Sequence, residues 1–186
     1  MFYRDKFALA SSVSILLCLL GSCTGLKIEP PGPDRQTLLV FPVQVTNDTL
    51  YSRHGFYYIY EIVDEASGNT VHEAIFKLPL EGDMLIVDTL IPGNYRVDRF
   101  IFKPVGSGNF TYGNNVQARH DKFKLEAGRI TVFSQSLNVH LRNEIPGRGM
   151  ETIYDFKMEP VLSNQKRKIL AILKGLPGFE QWGMPD

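Results

Sequence analysis

Between residues 37 and 160, apolar side chains recur at every second position in short runs, and each run is closed by a turn signal. Leu39, Phe41, Val43 and Val45 alternate through a first strand that Asn47-Asp48 closes. The run from Phe56 to Val63 is apolar on both faces at first, the pattern of a central strand with covered sides. It ends at Asp64-Glu65 and leads into Ser67-Gly68-Asn69, where glycine or asparagine can take the positive φ of a hairpin turn. A third strand is predicted from Val71 to Leu80, with Ala74, Phe76 and Leu78 on one face, and a fourth from Met84 to Leu90 after the turn Glu81-Gly82-Asp83. A helical period occurs only near the end: Ser163 is placed to cap a helix running to about Lys174, with Ile169, Ile172, Leu173 and Leu176 on one face and Gly175 and Pro177 stopping it. The pattern predicts an all-β chain, a single antiparallel β-sandwich of about seven to nine strands over residues 37–160, with a short C-terminal helix and tail over residues 161–186.

The middle of the chain adds three details. Tyr95, Val97, Arg99 and Ile101 alternate after the tight turn Pro92-Gly93, and Thr152, Tyr154, Phe156 and Met158 do so in a last strand. Ile130 and Val132 are apolar at even positions but Leu137, Val139 and Leu141 at odd ones, so a bulge or a crossing between sheets is predicted near residues 133–136. A long glycine-rich loop, from Gly106 to Asn115, encloses Phe110 and Tyr112, which makes those two aromatics candidate exposed anchors for a ligand. The Leu90-Ile91-Pro92-Gly93-Asn94-Tyr95 turn, with Phe123 to Ile130 as a later strand-turn-strand, resembles transthyretin-like or carboxypeptidase-regulatory-like β-sandwich modules. The resemblance covers about residues 56–141 and implies a sandwich of transthyretin-like or Ig-like type.

The N-terminus carries a different signal. Arg4 and Lys6 precede a charge-free run from Phe7 to Leu20, too short for a membrane-spanning helix of about 20 apolar residues but suited to a signal-peptide core. It ends in Leu20-Gly21-Ser22-Cys23, which resembles the lipobox of bacterial lipoproteins. That resemblance implies removal of residues 1–22, a thioether-linked diacylglycerol on Cys23, and attachment to the membrane by lipid. Thr24 stands where an Asp commonly retains such proteins in the inner membrane, which implies an outer-membrane destination in the cell envelope. Residues 23–36 then read as the lipidated N-terminus and a flexible linker, rich in Pro and Gly.

Residues 23–186 number 164, enough for one domain with a real core. The leader removes two basic residues and one acidic from a neutral chain, leaving a net charge of −1, which argues against nucleic-acid binding. Cys18 and Cys23 are the only cysteines, so no disulfide is expected in the mature fold. His54, His72, His120 and His140 lie at no metal-ligand spacing, and no metal or other cofactor is expected. G-x-S-x-G is absent, and the Asp64-Glu65 pair suits a solvated turn better than an acid–base pair, so no catalytic residue is assigned and the chain reads as a non-enzyme. Phe56, Tyr57, Tyr58 and Tyr60 read as core rather than as an aromatic platform. Lys166-Arg167-Lys168 reads as the polar side of an amphipathic helix, with contact to anionic lipid or a partner as the alternative. The expected function is a structural or protein-interaction module with an envelope protein as its partner. The alternatives are a small-ligand or carbohydrate-binding surface lipoprotein, or an accessory lipoprotein of a secretion or surface-assembly machine.

Overall fold

A computed structural model describes residues 28–34, 36–47, 56–78, 80–104, 116–144 and 151–183. Nine strands are found among them: β1 Leu38–Asn47, β2 Phe56–Asp64, β3 Thr70–Phe76, β4 Met84–Val87, β5 Gly93–Pro104, β6 Val116–Leu125, β7 Ile130–Val132, β8 Gln135–Glu144 and β9 Glu151–Pro160. They form two sheets, ordered β4-β1-β8-β9 and β3-β2-β5-β6, with β7 paired to β1 beside β8. Among the described residues one helix of useful length, α1 Ser163–Lys174, follows. The sandwich and its C-terminal helix are those the alternation predicted. One strand departs from antiparallel order: β1 runs antiparallel to β4 but parallel to both β7 and β8.

The sandwich core is aromatic. Phe41 stacks on Tyr60 with ring centroids 4.3 Å apart and meets Phe133 at 4.9 Å, while Tyr58, Phe76, Phe100 and Phe156 continue the cluster. Phe56, Tyr58 and Tyr60 all point inward and are buried. Burial pushes the Tyr60 hydroxyl far above the usual tyrosine range. A second, smaller cluster lies on the other side of the first sheet, where Leu38, Val40, Met84 and Ile130 meet Ile169 and Leu173 of α1. β1 is therefore buried on both faces, with Leu39, Phe41 and Val43 in the sandwich and Leu38 and Val40 under the helix.

The same two-sided burial explains the change of phase after Gly128. Between the pairs Val40↔Val132 and Val43↔Leu137, β1 contributes two residues and the opposing chain four, residues 133–136. The interruption falls where it was predicted, yet the chain stays on the same edge of β1. Ile130 faces the helix, whereas Phe133, Leu137 and Val139 face the sandwich, so the apolar positions change parity because the covered face changes. The Phe133 N–H donates to the Val40 carbonyl at 2.8 Å and carries the ladder across the gap.

Other local signals are refined. The third strand stops at Phe76 and the fourth at Val87, although Leu78 and Leu90 beyond them are still buried. Tyr95 closes the Pro-Gly turn by donating its hydroxyl to the Ile91 carbonyl at 2.9 Å, and its ring occupies the space that a side chain at Gly93 would need. Ser163 is not the helix cap. Leu162 holds that position in extended conformation, and its N–H donates to Gln165 Oε1 at 3.0 Å.

Candidate functional site

The outer face of the β3-β2-β5-β6 sheet carries an apolar row that crosses all four strands. Ile59 lies opposite Ile75 on one side and Ile101 on the other, and Ile101 lies opposite Val116. Ile59 is shielded by its neighbours, but Ile75 is 55% exposed and Val116 44%. Tyr57, one step along β2 on this face, is 36% exposed and opposite Lys103, and the Lys77 ammonium sits 4.4 Å from the centre of its ring. On the other side of the apolar row the face turns polar, with Glu73, Glu61, Arg99 and Ala118 in register. Glu61 is buried and accepts from Arg99 Nη2 at 2.8 Å and Thr70 Oγ1 at 2.7 Å, while Arg99 Nε lies 2.6 Å from its second oxygen. The paired guanidinium holds the Glu61 carboxyl below the usual glutamate range.

Four of the six large exposed hydrophobic residues among the described ones, Tyr57, Val71, Ile75 and Val116, belong to the strands of this sheet. The covered sides expected of β2 are found: Phe56, Tyr58, Tyr60 and Ile62 are buried in the sandwich and Ile59 and Glu61 on the outer side, while Tyr57 is exposed.

A second feature ties the start of the chain to its end. Ile28 is buried, its N–H donates to the Pro177 carbonyl at 3.2 Å, and the Trp182 indole N–H donates to the Glu29 carbonyl at 3.0 Å. Gly183 is stitched to the β6–β7 turn by N–H to the Gly128 carbonyl at 2.7 Å, and Gly128 in turn donates to Gln36 at 2.8 Å. Of the expected flexible linker, Ile28 and Glu29 are thus docked against the C-terminal tail, while Gly32, Pro33 and Asp34 are exposed. Only Thr24 to Lys27 separate Cys23 from the docked Ile28, a reach of at most roughly 18 Å when fully extended. The Pro and Gly content of this stretch suggested a linker; the lone Ile28 and the only tryptophan, Trp182, were the signals of docking.

Gly178 makes the clasp possible. Its φ is +88°, and a Cβ built there runs into the Ile28 carbonyl oxygen. Gly178→Ala is expected to release the N-terminal segment and cost about 2–3 kcal/mol in backbone strain and lost packing. Limited proteolysis should then cut near residue 28 much faster than in the wild type, and Trp182 fluorescence should shift to the red.

Elsewhere the chemistry is sparse. A cleft of about 230 Å³ lies between α1 and β1, below the roughly 300–1,000 Å³ of small-molecule sites. Two pairs bridge its walls, Lys168 Nζ to Asp83 Oδ2 at 2.8 Å and Gln165 Nε2 to Gln44 Oε1 at 3.0 Å. Among the described residues no three His, Cys, Asp or Glu side chains come together. His72 is held below the usual histidine range by burial, and exposed His120 lies 3.6 Å from Asp98. Cys23, Phe110, Tyr112 and His54 lie outside the described residues. The strand ends that flank the aromatic loop, Pro104 of β5 and Val116 of β6, lie at the same end of the sheet as Tyr57. No protein-family model, curated protein or solved structure matches the chain.

Proposed function

We propose that the protein is a lipid-anchored envelope protein whose β-sandwich is a non-catalytic interaction module, and that the outer face of the β3-β2-β5-β6 sheet receives its protein partner. The observation that carries this reading is the row Ile75-Ile59-Ile101-Val116, an apolar band bordered by Tyr57 with Lys77 and Lys103 on one side and by the Glu61–Arg99 pair on the other. Apolar surface of this kind, rimmed by polar groups, is what protein interfaces bury. Phe110 and Tyr112, between β5 and β6, are the sequence's candidates for extending that contact. The anchor reading rests on Leu20-Gly21-Ser22-Cys23 and, by Thr24, on an outer-membrane destination.

The test is photo-crosslinking in intact cells, with benzoylphenylalanine placed singly at Ile75, at Val116 and, as a control on the opposite flank, at Ala171. A discrete adduct with the same partner from Ile75 and Val116, absent from Ala171, is expected. No adduct from either strand position, or the same adduct from all three, would overturn the assignment of this face.

A further inference from the structure

The flank opposite the apolar row is covered by α1, and its charge is one-sided. The helix Ser163–Lys174 holds four cations, Lys166, Arg167, Lys168 and Lys174, and no acidic residue. Lys168 is neutralised by Asp83 at 2.8 Å. Arg167 and Lys174 are exposed, with exposed Ala171 between them, and form a stripe on the side of the helix away from buried Ile169 and Leu173. Neither has an acidic partner among the described residues. The macrodipole favours Lys174, in the last turn, but offers no such stabilisation to Arg167 in the N-terminal half of the helix.

The position of this stripe matters more than its sign. Three residues beyond Lys174, the Pro177 carbonyl accepts the Ile28 N–H, so the chain coming from Cys23 joins the fold at the C-terminal end of α1. With at most roughly 18 Å of chain between Cys23 and Ile28, that end of α1 is confined near any bilayer that holds the Cys23 lipid. The helix is itself about 18 Å long, so its whole exposed side is within reach of the same surface.

Resting on the reading of Cys23 as a lipid anchor, we propose that the Arg167–Ala171–Lys174 face of α1 lies against the anionic headgroups of the anchoring membrane. The domain then leans on this flank, and the apolar row on the opposite sheet faces away from the bilayer toward its partner. Basic residues near an anionic leaflet are attracted to it, and the attraction falls off within a Debye length. A short tether keeps the stripe inside that range.

The test uses the mature chain, residues 23–186, carrying Cys23→Ser, so that neither acyl chains nor the apolar leader contributes, and measures co-sedimentation with phosphatidylcholine vesicles with and without phosphatidylglycerol. Adding Arg167→Gln and Lys174→Gln is expected to weaken partitioning onto phosphatidylglycerol vesicles about 30-fold and to leave partitioning onto phosphatidylcholine unchanged. Changing Lys122 and Lys124 to Gln, two exposed cations on β6 of the other sheet, should change neither. Circular dichroism and Trp182 fluorescence report that each variant is folded. Equal partitioning of parent and α1 variant onto phosphatidylglycerol, or an equal loss in the control variant, would overturn the proposal. Because this assay contains no lipidated protein, its failure is distinct from failure of Cys23 to take up lipid.

Discussion

Cys23→Ser is expected to abolish incorporation of radiolabelled palmitate when the full chain is expressed in a bacterial host, reducing the label on the protein to background. Cys18→Ser should leave labelling at the wild-type level, because Cys18 lies inside the apolar run and only Cys23 follows the small pair Gly21-Ser22. The effect is all or none, since the two are the only thiols of the chain and the diacylglyceryl group is carried on one of them. Several acyl chains together hold a protein firmly on a bilayer, at about 0.8 kcal/mol for each buried methylene. Label that persisted in Cys23→Ser would remove the anchor, and with it the physical basis for placing α1 near a membrane. The apolar row on the other sheet would be untouched by that outcome.

The second large effect concerns the core. Phe41→Ala is expected to destabilise the domain by about 3–5 kcal/mol, a large part of the roughly 5–15 kcal/mol that holds such a domain together. Phe41 is fully buried, stacks on Tyr60 and tilts against Phe133, and so joins β1 of one sheet, β2 of the other, and the residue that bridges β7 to β8. Truncation removes two ring contacts at once and leaves a cavity between the two sheets. Phe41→Leu keeps most of the volume and should cost about 1–2 kcal/mol. Urea unfolding followed by Trp182, the only tryptophan, measures both in one assay. A loss below about 1 kcal/mol for Phe41→Ala would mean that the two sheets are not held together at this stack.

The parts of the fold that were legible in the sequence are those with a local period. Strand positions followed from the alternation of Leu39, Phe41 and Val43 and from the punctuation at Ser67-Gly68-Asn69 and Pro92-Gly93, because a period of two and a required positive φ are written in adjacent residues. The helix followed from Ile169, Ile172 and Leu173 for the same reason. Pairing was not legible. That β1 runs parallel to β7 and β8 depends on residues more than 90 positions apart, and nothing in the period of β1 names its partner. Burial on two faces was legible only as ambiguity: Leu38 and Val40 are as apolar as Leu39 and Phe41, and only the helix laid over them explains why.

The candidate site divides in the same way. Ile59 and Ile101 are ordinary strand residues until the register sets them beside Ile75 and Val116, so the apolar row exists in the pairing and in no segment of the sequence. The clasp of Ile28 by Pro177 and Trp182 likewise joins the two ends of the chain, which a reading along the chain takes as a linker and a tail. By contrast, Cys23 was assigned from four neighbouring residues alone, because the chemistry that would modify it reads a local motif.

The measurement that bears most directly on the account is the intact mass and N-terminal sequence of the wild-type protein recovered from host membranes. The account predicts a polypeptide of residues 23–186 whose first residue is Cys23, heavier than the bare chain by a diacylglyceryl group with or without a further acyl chain. A chain beginning anywhere else, or one beginning at Cys23 with a free thiol, would contradict it.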